Sequence, residues 1–253
     1  MEAAPLRTEY QSPADRVLIA SAAASVLCSR APVIACAAVL QPGSDIGNVP
    51  STGTGRSPWT TARLYGLAAY LLSRGFVIAG AAAVSVQRAI DPNDPTAPRP
   101  NSAAGGILDV LNSWDGQWYY EIIRHGYPRE VPPNVTFGMP EARAAFFPVY
   151  PFLARLTDRV LPGGDVAAAL LLNVVLGGIF VYLVGLLARQ LFDDTVARRA
   201  MVLTAMFPGS FVLLFAYSEA SLVVLSAACL WFLHRRHWAL AGVTAALATA
   251  ARP

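Results

Sequence analysis

The stretch Val166-Ala-Ala-Ala-Leu-Leu-Leu-Asn-Val-Val-Leu-Gly-Gly-Ile-Phe-Val-Tyr-Leu-Val-Gly-Leu-Leu187 reads as a clean span, free of charge. It is as long as the ~20 residues that an α-helix needs to cross the hydrocarbon core of a bilayer. Ala62 to Val86 is a second apolar run. Arg74 falls inside that second run, and a charge at such depth should face other helices or snorkel. The Gly177-Gly178 pair should let helices approach closely. Composition agrees: 55% of the 253 residues are hydrophobic, 14% are charged, and the mean hydropathy is +0.46. Soluble domains carry about 25% charged residues. The fold class expected is an all-α, polytopic helical membrane protein of about six hydrophobic segments.

C-terminal to residue 187, Arg189, Arg198 and Arg199 flank a short connection. Met201–Ala216 and Ala220–Leu233 form a tight pair of apolar segments, turned by Tyr217-Ser218-Glu219. His234-Arg235-Arg236-His237 leads into Trp238–Ala251. At 1.5 Å per residue that last segment falls short of a ~30 Å core. N-terminal to residue 166, Phe146 to Leu153 holds Pro148 and Pro151. Two prolines so placed argue against a regular helix and for a re-entrant or interfacial segment.

Between the apolar runs lies a long polar loop, residues 87–145. Its first part, Asp91 to Pro100, is too proline-rich for a helix. Gly106 to Tyr127 reads as ordered. Trp118, Tyr119, Ile122 and Ile123 recur at helical spacing, Asp115 sits at the N-cap position, and Gly126 sits where a helix stops. The result is a short amphipathic helix with aromatics suited to a membrane interface.

The two short arginine-bearing connections, 189–199 and 234–237, should be cytoplasmic by the positive-inside rule. The long loop carries five arginines (Arg88, Arg99, Arg124, Arg129, Arg143) against seven acids (Asp91, Asp94, Asp109, Asp115, Glu121, Glu130, Glu141). Being long and not basic, it can be translocated. Charge alone therefore puts Asp115 and Glu219 at one membrane face, outside the cell.

Residues 1–60 form a low-complexity segment. Val17–Leu40 is apolar enough for a further span, but Arg30 costs ~2.5–3.5 kcal/mol at its centre. Val33-Ile34-Ala35-Cys36 looks like a lipoprotein box that Arg30 interrupts. Gln41–Pro58 reads as a linker, and a mis-called start codon explains the region equally well. Cys28, Cys36 and Cys229 lie in apolar surroundings with no disulfide or zinc spacing. A net charge of +3, with Arg235-Arg236 read as a topology signal, does not indicate nucleic acid. No metal constellation stands out, and Asn134-Val135-Thr136 reads as plain loop.

Trp114-Asp115-Gly116 with His125-Gly126-Tyr127 resembles the first luminal loop of the PIG-V-like mannosyltransferases, multi-pass enzymes of the GT-C glycosyltransferase class. Phe146 to Pro151 is similar to that family's next block, Phe207-Pro208-Gly209-Ser210 through Tyr217-Ser218-Glu219 to a third, and Ala248 to Pro253 to the start of a fourth. The resemblance covers residues 61–253 and divides them into a first span (62–86), an extracytoplasmic catalytic loop (87–145) and further segments (146–253). Family members have more spans than are counted here, so the expectation is the N-terminal part of a longer enzyme, a truncated product. The resemblance implies a polyprenyl phosphate mannose donor, an extracytoplasmic glycolipid or glycan acceptor, inversion by single displacement, and no cofactor or metal.

The chemistry expected needs a base for the acceptor hydroxyl and a group to steady the leaving phosphate. Asp115 is the candidate base, its charge favoured by a helix N-terminus. The residues alone read more readily as an N-cap there, with Trp114 as an interface anchor. Glu219 is the second candidate, either positioning the acceptor or sharing acid–base work, or else a wetted turn residue. Trp114, Arg124, His125, Tyr150 and Arg252 are candidate substrate or phosphate contacts. Arg124 and His125 also read as a solvated helix end, Arg252 as a terminal charge, and Tyr150, with Pro148 and Pro151, as shaping the chain. The rival class is a non-catalytic multi-pass membrane protein or an inactive fragment of such an enzyme.

Overall fold

The computed structural model describes residues 57–90, 102–136, 138–161 and 163–252, all within one unit, Gly55–Pro253. The expected span Val17–Leu40, the Cys36 box, the linker up to residue 56 and the non-helical stretch 91–100 lie outside the described residues. Eight α-helices are described: α1 Pro58–Ile90, α2 Ala103–Leu111, α3 Asp115–His125, α4 Val149–Val160, α5 Asp165–Leu191, α6 Asp194–Met206, α7 Glu219–His234 and α8 Trp238–Ala251. Two 3-10 turns, Pro140–Ala145 and Pro208–Leu213, precede α4 and α7, and no strand occurs among the described residues.

The two founding runs become α1 and α5, both long and apolar enough to cross a membrane. Only 22% and 28% of their most apolar windows are buried inside the protein. A core helix of a soluble protein hides most of its apolar surface, whereas α1 exposes Leu64, Leu71, Leu72, Phe76 and Val86. α7 and α8 are apolar but shorter.

Local chemistry explains the helix ends. Ser57 Oγ accepts the Thr60 amide at 3.2 Å, and Pro58 takes the first helical position of α1, where a missing N–H costs nothing. Asp193 caps α6 through the amides of Thr195 and Val196 at 2.7 and 2.8 Å. Gly126 ends α3 at φ 77°, a conformation open to glycine.

The core is built by close approach. Met201 of α6 enters between Gly66 of α1 and Gly185 of α5, and a Cβ on either glycine would collide with it. Gly177 receives the Tyr70 hydroxyl, which donates to the Val174 carbonyl at 2.8 Å. The close packing expected of Gly177-Gly178 is present. Arg74 does face other helices: it is 3% exposed, lies over the Tyr70 ring, and donates to Ser210 O and Oγ at 2.7 and 2.9 Å.

Three expectations are corrected. A regular helix does run through Phe146–Leu153: α4 begins at Val149, with Pro148 as its cap and Pro151 in its first turn. The first four amides of a helix have no internal acceptor, so proline there removes no bond. Met201–Ala216 is not one apolar helix. Pro208 drives Phe207 to an extended ψ of 132° and ends α6, so the chain continues as a 3-10 turn and then bends. Arg198 and Arg199, in turn, lie within α6 rather than in the connection before it.

α3 is the expected helix, but its apolar face is not turned to a membrane interface. Tyr119, Ile122 and Ile123 are buried against Tyr150 and Ala154 of α4 and Ala169 of α5. Arg155 of α4 closes the contact by donating to the Ile122 and Ile123 carbonyls at 2.8 and 2.7 Å.

Candidate active site

The four sequence blocks meet at one end of the helix bundle. Tyr119 is the hub. Its ring lies edge-on to Phe146 and Tyr150, with centroids 5.1 and 5.0 Å away, and its hydroxyl donates to Ser218 Oγ at 2.7 Å. Tyr217 donates to the Ser113 carbonyl at 3.2 Å, and the Ala216 amide donates to Leu111 O at 3.1 Å. Tyr127 donates to Phe146 O at 3.0 Å. Arg252, just past α8, is ion-paired with Glu219 at the start of α7.

Asp115 is not an N-cap. It is the first residue of α3, and the cap position belongs to Trp114, whose side chain caps nothing. The Asp115 carboxylate, half-buried, makes no hydrogen bond or ion pair among the described residues. Trp114 holds φ 55°, ψ −121°, a strained backbone for a bulky side chain. Its ring is 67% exposed and stacks on Phe215, centroids 6.2 Å apart and 16° from parallel. Gly116 completes the turn: a Cβ there would press on Asn112 Oδ1 and touch Ala216. Glycine therefore lets the start of α3 lie against the 214–218 bend.

The electrostatics follow from burial. Tyr217 is pushed up to about 12, by burial first and then by the charges of Asp115 and Glu219. Tyr119 is raised by burial, with Glu219 and Asp115 adding to it, and the Ser218 bond and Arg252 opposing. Both carboxylates thus bear on the same two phenols. Tyr150, fully buried, is raised strongly, chiefly by burial. A phenol so held is a neutral donor at neutral pH.

Not every candidate joins the cluster. Arg124 lies at the far end of α3, paired with Asp165 at 2.6 Å and stacked over Tyr120 at 4.1 Å. The Asp165 bond raises its pKa and ties α3 to α5. His125 faces Glu121 one turn back, at 3.7 Å, and is exposed. Tyr150 is wholly buried, donating to Ala169 O at 3.3 Å, so it supports Tyr119 from behind. Among the described residues no three His, Cys, Asp or Glu side chains group as metal ligands.

Asn173 escaped the sequence reading. It is completely buried in α5 and donates through Nδ2 to the carbonyls of Phe215 and Tyr217, the latter at 2.8 Å. It pins the bend that carries Tyr217 and Ser218 to α3. An amide alone inside an apolar span was the available signal, since such a group needs partners there. Arg74 acts likewise one turn earlier, holding Ser210.

The chain is thus all-helical over its described residues, with two helices able to cross a membrane and a polar cluster at one end. Set against known protein families, characterised proteins and solved structures, it matches none of them.

Proposed function

We propose that the chain acts as a GT-C type membrane glycosyltransferase, moving mannose from a polyprenyl phosphate to an extracytoplasmic hydroxyl of a glycolipid or glycan. The observation that supports this reading is the unpartnered Asp115 carboxylate at the start of α3, beside a strained and exposed Trp114 and the Glu219–Arg252 pair. Asp115 takes the acceptor proton as the acceptor oxygen bonds to the sugar C1. The bond from C1 to the phosphate oxygen breaks, and polyprenyl phosphate leaves as the anion. Arg252, exchanging Glu219 for that phosphate, steadies the leaving charge. Glu219, released, orients the acceptor. The exposed Trp114 ring offers a flat apolar face to the sugar. Arg124 and His125 stand away from this chemistry.

A specific observation favours the non-catalytic reading. Both candidate phosphate-binding arginines, Arg124 and Arg252, are already ion-paired within the chain, as helix ties would be.

One assay separates the two. Membranes carrying the chain are given radiolabelled polyprenyl phosphate mannose, and label in glycolipid or glycan is counted. A working enzyme transfers label, and Asp115→Asn lowers the rate ~100-fold or more while the protein remains inserted. Undiminished transfer by Asp115→Asn would end the proposal for this residue, and no transfer by the parent would favour the scaffold.

A further inference from the structure

The opposite end of the bundle holds a groove of about 600 Å³ between α1 and α6, lined by Tyr65, Arg198, Arg199, Val202 and Leu203. We propose that this groove binds one anionic phospholipid, its phosphate between Arg198 and Arg199 and an acyl chain along Val202 and Leu203. Helical spacing sets the order. Val202 is four residues beyond Arg198, and Leu203 four beyond Arg199, so each guanidinium stands one turn from an apolar side chain on its own face. The arginines lie toward the α5–α6 turn and the apolar pair toward the middle of the bundle. This is the polarity of a lipid whose headgroup sits at the surface and whose tail points inward.

The neighbouring cations are committed elsewhere. Arg63 and Arg189 lie over the Trp59 ring at 5.6 and 4.9 Å, and Arg189 is paired with Asp194 at 2.8 Å. Arg198 and Arg199 are exposed and make no ion pair among the described residues, Arg198 resting 6.0 Å from the Tyr65 ring centre. Two uncompensated guanidiniums favour a net-negative headgroup over a zwitterionic one, and planar forks suit phosphate oxygens. Leu203 is 72% exposed and Tyr65 59%, so the wall beneath the charges is open to a chain. Basic pockets between membrane helices take such lipids.

The inference rests on membrane placement but not on sugar transfer, because lipid retention is read without any sugar substrate. The purified chain is offered phosphatidylglycerol and phosphatidylcholine with matched acyl chains, and bound lipid is counted by native mass spectrometry. The parent should retain phosphatidylglycerol ~10-fold over phosphatidylcholine. The double variant Arg198→Gln, Arg199→Gln should lose that preference, and Arg235→Gln, Arg236→Gln, at the α7–α8 turn, should keep it. Leu203→Asn keeps both guanidiniums without adding a charge but spoils the wall, and should also release the lipid. A preference surviving in the first double variant would overturn the site. So would equal loss in both double variants, which means surface charge alone, or full retention in Leu203→Asn, which means a bare anion site.

Discussion

Asn173 and Tyr217 carry the most testable residue-scale consequences, because both hold the bend that brings Glu219 toward Asp115. Asn173→Leu keeps the volume but leaves the Tyr217 carbonyl without its donor, while the Phe215 carbonyl keeps only the Tyr217 amide. A buried acceptor left unsatisfied costs ~1–3 kcal/mol. The thermal midpoint in detergent, followed by circular dichroism, should fall by several degrees. Tyr217 gives a pH signature. Its folded pKa is raised to about 12 by burial and by the two carboxylates, above an unfolded value near 10. A raised pKa means that the unfolded chain releases this proton first. The stability it contributes is whole below pH ~10 and is lost as pH rises from there to ~12. Tyr217→Phe should unfold with a shallower pH dependence across that window, measured by denaturant titration at stepped pH. An unchanged slope would mean that the phenol is freely hydrated.

At the scale of the element, the α7–α8 turn stores strain that has no functional neighbour. Arg236 adopts φ 58°, with its amide donating to Leu233 O at 3.0 Å and the His237 amide to Phe232 O at 2.9 Å, the pattern of a Schellman stop. Glycine suits that position and arginine does not. Arg236→Gly should stabilise the hairpin by ~1 kcal/mol and raise the thermal midpoint slightly. Trp114 shares the positive φ, but there the strain aims a ring beside Asp115. Helix existence was readable from apolar runs: residues 62–86, 166–187, 220–233 and 238–251 all became helices with little change in bounds. Two of the misread segments, 146–153 and 201–216, share one cause, proline. Pro151 reads as if inside a helix but lies in the first turn, and Pro208 breaks a run that hydropathy alone makes continuous. Composition marks a proline, but only the start of the helix decides whether its missing amide matters.

On the scale of the whole molecule, Asp115 and Glu219 lie at one end and the two short arginine-bearing connections lie away from it, a grouping legible before the contacts were. α7 leads away from Glu219 and α8 returns to it, so Arg235 and Arg236 lie at the far end of that hairpin. α5 similarly begins beside Arg124, takes Asn173 past the bend, and ends at Arg189 beside Trp59. What could not be read was which side chains meet. Tyr119 to Ser218 and Tyr217 to Ser113 join residues 99 and 104 positions apart, through a bend that no periodicity marks. The proposed chemistry needs the Asp115 end outside and the arginine end inside, as short basic turns favour. In a variant with Cys28, Cys36 and Cys229 changed to Ser, Gln117→Cys in α3 should react with an impermeant maleimide on intact cells. Arg235→Cys should react only after the membrane is opened. The reverse pattern would place Asp115 in the cytosol, out of reach of an extracytoplasmic acceptor, and the transferase reading would fall whatever the site's geometry.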